Sequence, residues 1–243
     1  LMTIHNIHSQ ELTLAHIEDT GIDAAEFWQD LFYKWYADNY ESARSDNPVD
    51  LLASGIFASH FVNTVSPTFL HEVCGGQHDF VPPAVRAELT QKMIAGCASG
   101  ILNAPDPSFD PATDSLIQHQ FTPETHVEAK RQNKVHLQER LGLTQDPDAP
   151  MLFWPSRLDA VQKGCQILAD ILYGLVSHYA DENLQVVFVA TGPYQIWFRG
   201  IVDQHELHDR VAVYTLFEET SHQAYAPPGF LLVASPFAPC GLA

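Results

Sequence analysis

Apolar positions in this chain fall into short runs whose period changes from one run to the next. Residues 184–190 read LQVVFVA, a Val-rich run too short for a helix and too continuously apolar for a strand with one wet face, so a strand buried on both sides is predicted. Residues 151–154, MLFW, predict another. Between them Cys165, Leu168, Ala169, Ile171, Leu172 and Leu175 recur at helical spacing. Thr191-Gly192-Pro193 then turns into a helix through Val202, and strands follow at 211–214 and 230–234. Strand and helix alternate with short connections, which requires parallel strands and right-handed crossovers. The predicted class is α/β, doubly wound.

The first part of the chain is less regular. Residues 1–5 and 61–65 predict strands, and Ser66-Pro67-Thr68 predicts an N-cap with Pro at the first helical position, opening a helix through His71 and Val73 that Gly75-Gly76 stops. A further helix is expected over 84–98. Residues 26–36 carry Phe27, Leu31, Phe32, Trp35 and Tyr36 at helical spacing, and core packing is the expected role for this face rather than a sugar-stacking platform. Residues 100–106, GILNAPD, read as an apolar strand running into a polar turn, followed by Pro105, Pro107, Pro111 and several aspartates. A domain boundary is placed there, with 1–99 in a first domain and 100–243 as connection and second domain. A charged amphipathic helix is predicted over 125–141, with Val127, Val135, Leu137 and Leu141 inward and Gly142 as its stop.

Composition narrows the function. A 243-residue chain that is 46% hydrophobic can bury one large core or two modest ones. Twelve Lys and Arg against 30 Asp and Glu leave a net charge of −18, which excludes a nucleic-acid surface. No apolar run approaches the ~20 residues that span a bilayer, no basic region with an apolar core opens the chain, and membrane association is not expected. Cys74, Cys97, Cys165 and Cys240 are far apart, which suggests a reducing cytoplasm rather than a disulfide framework or zinc site. His5 and His8 have the spacing of a metal pair, but no third ligand follows, and no metal is expected.

The candidate chemistry lies in 153–166, FWPSRLDAVQKGCQ, where Arg157 and Lys163 frame a strand-to-helix turn. Ligands of open α/β sheets sit beyond the carboxyl ends of the strands, and a helix N-terminus there favours an anion such as a diphosphate. Spacing alone leaves two readings open, an anion site or two solvated surface charges.

Six segments in order resemble the bacterial glycogen synthases and plant starch synthases, retaining glucosyltransferases of GT-B type: LMTIHN at 1–6, NTVSPTFLHEV at 63–73, GILNAPD at 100–106, DPATD at 110–114, PSRLDAVQKG at 155–164 and SPFAPCGL at 235–242. The resemblance implies transfer of glucose from ADP-glucose, less often UDP-glucose, to the non-reducing end of an α-1,4-glucan, with the donor between two Rossmann-like domains and no cofactor. It implies His5 near the donor glucose, Asn103 beside the cleft, Arg157 and Lys163 on the donor diphosphate, and the Gly241 and Leu242 backbone close to it.

The departures are specific. Ala238 stands where the family has a glutamate that holds the reacting glucose, Pro236 replaces an arginine, and Leu216 with Phe217 occupies the adenine-stacking region. The family's K-[TV]-G-G-L loop and everything beyond Pro-Cys-Gly-Leu are absent from the sequence. Little or no turnover by this chain is therefore expected, together with self-association through exposed sheet edges. The alternative is a catalytically silent module that binds a nucleotide sugar or glucan.

Overall fold

The structure is a computed structural model that describes residues 1–7, 10–158, 163–215, 218–227 and 229–235. The chain divides into two compact units, Leu1–Ala104 and Pro105–Ala243.

The first unit contains β1 (Met2–Ile4), β2 (Glu11–Leu12), α1 (Leu14–Glu18), α2 (Tyr40–Asp46), β3 (Val49–Asp50), α3 (Leu51–Ala58), β4 (Val62–Thr64), α4 (Pro67–Cys74), α5 (Pro83–Ile94) and β5 (Ala98–Gly100). Its sheet has the order β1-β4-β5 with both pairings parallel. Ile4, Ile56, Val62, Phe69, Val85 and Leu89 form the centre of its core. As the sequence predicts, Ser66 caps α4, its Oγ accepting from the Phe69 N–H at 3.2 Å, with Pro67 in the first turn.

Two expectations fail here. The short strand expected to open the 100–106 segment is observed at Ala98–Gly100, and the helix expected to reach residue 98 ends at Ile94. Gly100 explains the register: a Cβ there would lie 2.1 Å from the Pro67 nitrogen, and only glycine lets the strand end press so closely on the start of α4.

The second failure is the helix over 26–36. The structure has short 3-10 turns at Ala24–Glu26 and Trp28–Asp30, then an extended segment bound to the residues before α3. The Asp50 N–H donates to the Phe32 carbonyl at 2.7 Å, and the Lys34 N–H to the Pro48 carbonyl at 2.9 Å. Asn47 exchanges two bonds with the Trp35 backbone, at 3.1 and 2.8 Å. Long-range backbone partners outweigh local helical spacing. Phe27 and Leu31 still pack on the small core of Leu14, Ala24, Ala43 and Val49, and Phe32 on the main one. Trp35 and Tyr36 do not, being 59% and 89% exposed.

The second unit contains α6 (His126–Leu141), β6 (Met151–Arg157), α7 (Cys165–His178), β7 (Gln185–Thr191), α8 (Gln195–Gln204), β8 (Val211–Thr215), α9 (Glu218–Tyr225) and β9 (Phe230–Leu231). Its sheet has the order β8-β7-β6-β9, all parallel, with Met151 opposite Gln185 and Arg157 opposite Thr191. Trp154 and Phe188 face α7 and α8 on one side, packing on Leu168, Leu172 and Phe198. Phe153, Val187 and Val189 face α6 and α9 on the other, with Leu137 and Ala224. The apolar run at 184–190 needs both layers, since each successive side chain alternates between them.

In α6 the predicted inward face is only partly right. Leu137 is buried, but Val127 is exposed and the other buried positions are Ala129, Asn133 and Gln138. Both amides close hydrogen-bond pairs with passing backbone: Asn133 with the N–H and C=O of His119, at 2.9 and 2.8 Å, and Gln138 with those of Asp146, at 2.9 and 2.8 Å. A buried amide with both ends satisfied costs little and ties the loop to the helix. Among the described residues no helix is long and apolar enough to cross a membrane.

Candidate active site

The sheet of the second unit contains a topological switch point. From β6, the first strand of its sheet, the chain proceeds to β7 and β8 on one side and returns to β9 on the other. The crevice outside the carboxyl ends of such strands is where ligands of open α/β sheets lie. Arg157 is the last residue of β6 and is exposed. Lys163, half-buried, precedes Gly164, which opens the 14-residue α7 at φ +66 and provides no side-chain cap for its first turn. The turn from β9 approaches the same spot, since a Cβ on Gly164 would lie 2.1 Å from the Ala234 carbonyl oxygen.

The arginines of this unit differ in one respect. Arg131 is tied to Asp148 at 2.5 Å, Arg140 to Glu219 at 2.9 Å, and Arg199 and Arg210 donate to the Val213 and Val176 carbonyls. The Arg157 guanidinium makes no hydrogen bond or ion pair with any described residue. An arginine at the carboxyl edge of the sheet with no carboxylate partner among the described residues can offer its five donors to an anion.

His5 and Asn103 lie in the first unit. His5 directly follows β1 and Asn103 follows β5 by three residues; both are exposed, beyond the carboxyl ends of the two strands that flank β4. The structure thus places Arg157 at the end of β6 and Lys163 just before α7, and His5 and Asn103 at one end of a different sheet. His8, Leu216, Phe217, Pro236, Ala238, Gly241 and Leu242 lie outside the described residues. Among the described residues no group of three His, Cys, Asp or Glu could hold a metal ion.

Sequence reasoning missed a buried pair. Asp114, the last residue of DPATD, meets His222 of α9, with Oδ2 2.7 Å from Nδ1. Asp114 also accepts from the Leu116 N–H at 2.8 Å, and Phe109 stacks on the imidazole with ring centroids 3.8 Å apart. Both side chains are almost fully buried. The pair holds the connecting segment against α9, whose Tyr225 meets Phe153 of β6 edge-on at 4.9 Å. The available signal was the DPATD motif itself: its aspartate had no assigned partner.

Residues 1–80 match the family model for the starch synthase catalytic domain. Glycogen synthases of Streptococcus pneumoniae strains Hungary19A-6 and TIGR4 are 31% identical over 241 residues, covering 95% of this chain and 47% of theirs. All these matches are to glycogen and starch synthases. It spans about half the length of the curated relatives it matches. The catalytic domain of starch synthase IV from Arabidopsis thaliana, solved bound to ADP and acarbose, matches 99% of the chain and 46% of that structure, with TM-score 0.74 and 26% identity. The fold is accordingly that of a GT-B glycosyltransferase, and the resemblance read from the six sequence segments holds across nearly the whole chain.

Proposed function

We propose that the chain is part of a glucosyltransferase that moves glucose from ADP-glucose to the non-reducing end of an α-1,4-glucan with retention. The observation that carries this is the Arg157 guanidinium at the carboxyl end of β6, without a hydrogen-bond or ion-pair partner among the described residues, with Lys163 just before the opening of α7. A departing nucleoside diphosphate gains negative charge as its bond to glucose C1 breaks. Fixed cations stabilise that gain more than they stabilise the ground state, which is what accelerates the step. The related starch synthase IV structure holds ADP and acarbose, which supports a nucleotide donor and a glucan acceptor. For His5 and Asn103 the resemblance alone supports a place beside the transferred glucose, and likewise for Gly241 and Leu242 beside the diphosphate.

Arg157 and Lys163 are proposed to neutralise the diphosphate without a metal or cofactor. ADP affinity measured by titration calorimetry is then expected to be unchanged by EDTA. Arg157→Ala is expected to weaken it roughly 10- to 100-fold, from the ~1.5–3 kcal/mol of hydrogen bonds to a charged group. Wild-type chain that does not bind ADP, or a variant that binds as well as wild type, would refute the donor site.

Ala238 favours a second reading, a module that binds the donor without turning it over. A methyl group cannot accept a hydrogen bond or stabilise positive charge where the family has a glutamate. Incorporation of labelled glucose from ADP-glucose into glycogen separates the two: ADP binding without incorporation is the expected result, and robust incorporation shows that Ala238 does not silence the site. We also propose a cytoplasmic location, since Cys74, Cys97 and Cys165 form no disulfide, and self-association through β8 and β9, the outer strands of the second sheet. Light scattering that returns a monomer at all concentrations would remove the latter.

A further inference from the structure

A concavity of the first unit with an exposed aromatic wall lies along residues 28–38. Its volume is about 510 Å³, within the range of ligand pockets, and its lining includes Trp28, Gln29, Lys34, Trp35, Tyr36 and Asp38. We propose that it is an accessory site for an α-1,4-glucan chain, with Trp35 and Tyr36 as the stacking platform. This rests on the glucan-acting function proposed above.

Trp35 and Tyr36 are 59% and 89% exposed, so neither ring belongs to the core. They are nevertheless held at both ends. Upstream, the 32–35 backbone is bound to residues 47–50, and buried Asn47 clamps both the N–H and the C=O of Trp35. Downstream, Asn39 caps α2 through a capping box with Ser42. Trp and Tyr on a fixed backbone give up little conformational entropy when a ligand orders them. Lys34 is held over the Trp35 ring, 5.6 Å from its centroid, by an ion pair with Glu11 at 3.0 Å.

The lining chemistry selects the occupant. The core of a protein interface is depleted of charged side chains, whereas here Lys34, Asp38 and Gln29 stand among the rings. Residues 26–50 carry six acidic side chains against two basic ones, which disfavours an anion such as a nucleotide or phosphopeptide. An uncharged pyranose fits both features. Its flat C–H face stacks on an indole or phenol, and its rim of hydroxyls bonds to amide, carboxylate and ammonium groups. The location fits too. α3 returns to the start of β4, which is parallel to β1, so the N-terminus of α3 and the segment bound to it lie toward the carboxyl end of β1, the end that carries His5. A glucan held there is on the chemically relevant face of this unit.

Maltoheptaose is the probe, titrated into the full chain and followed by calorimetry, with ADP titrated separately. Trp35→Ala and Tyr36→Ala are each expected to weaken maltoheptaose binding roughly tenfold, with ADP affinity unchanged and Trp35→Phe retaining most of the binding. Because both rings are exposed, circular dichroism should show an unaltered fold. Wild-type chain that binds ADP but not maltoheptaose overturns the platform while leaving the donor site intact. Equal maltoheptaose affinity in wild type and both alanine variants overturns it as well. Sedimentation showing a dimer that Tyr36→Ala dissociates, with glucan affinity unmoved, assigns the face to a second copy and also overturns it. Absence of ADP binding, by contrast, counts against the donor reading alone.

Discussion

Gly164→Ala is expected to destabilise the second unit by about 2–5 kcal/mol, combining ~1–2 kcal/mol for a left-handed non-glycine residue with ~1–3 kcal/mol of overpacking. The backbone at Gly164 has φ +66, and the new methyl would stand 2.1 Å from the Ala234 carbonyl oxygen. Backbone, not a flexible side chain, blocks it. Relief requires α7 to retreat from the turn after β9, which parts the two strand ends at the switch point. Urea unfolding of the full chain, followed by far-ultraviolet circular dichroism, should show an earlier midpoint. An unchanged midpoint would mean that the close approach of β9 to α7 is wrong. Gly174→Ala is the matched control, a glycine inside α7 with nothing within 4 Å of an added Cβ. It should be neutral or mildly stabilising, since alanine is the better helix former.

Asp114→Ala is expected to cost about 2–6 kcal/mol, from ~1–3 kcal/mol for each of two groups left without a hydrogen-bond partner. Its carboxylate meets His222 at 2.7 Å and accepts from the Leu116 N–H at 2.8 Å, so the truncation leaves a buried imidazole and a turn amide without their acceptor. The connecting segment should then detach from α9. Limited proteolysis should cut within 105–121 earlier than in wild type, alongside a lower unfolding midpoint. Asp114→Asn should lose less, since its amide keeps the acceptor for Leu116 and can still bond to a neutral imidazole. If Asn costs as much as Ala, the pair acts through charge; if neither shifts the midpoint, the buried pair contributes nothing to the fold.

The second unit was largely legible in the sequence. Its strands are continuous apolar runs because both faces of the sheet are covered, and such runs do not need a partner to be recognised. Arg157 was also found from sequence, because a cation at a strand-to-helix turn has a position whatever the rest of the fold does. That no described carboxylate pairs with it was not, since that depends on where Asp148 and Glu219 lie relative to the other arginines. The aromatic stretch at 26–36 was misread for a related reason. Its spacing suits a helix, yet Asp50, Pro48 and Asn47 supply backbone partners from a distant part of the chain. In α6, Val127 was placed inward by spacing alone, while Asn133 and Gln138 took buried positions because loop backbone groups meet them there.

By itself the sequence determined the α/β class, the resemblance to the glycogen and starch synthases, and the order of the segments that carry it, because hydrophobic period and local turn chemistry are written in neighbouring residues. Only the tertiary structure decided that Trp35 and Tyr36 face water, that Gly164 lies against Ala234, and that Asp114 reaches His222 across 108 positions. Those outcomes depend on which distant groups satisfy a backbone amide or a buried carboxylate, and no local pattern encodes the partner.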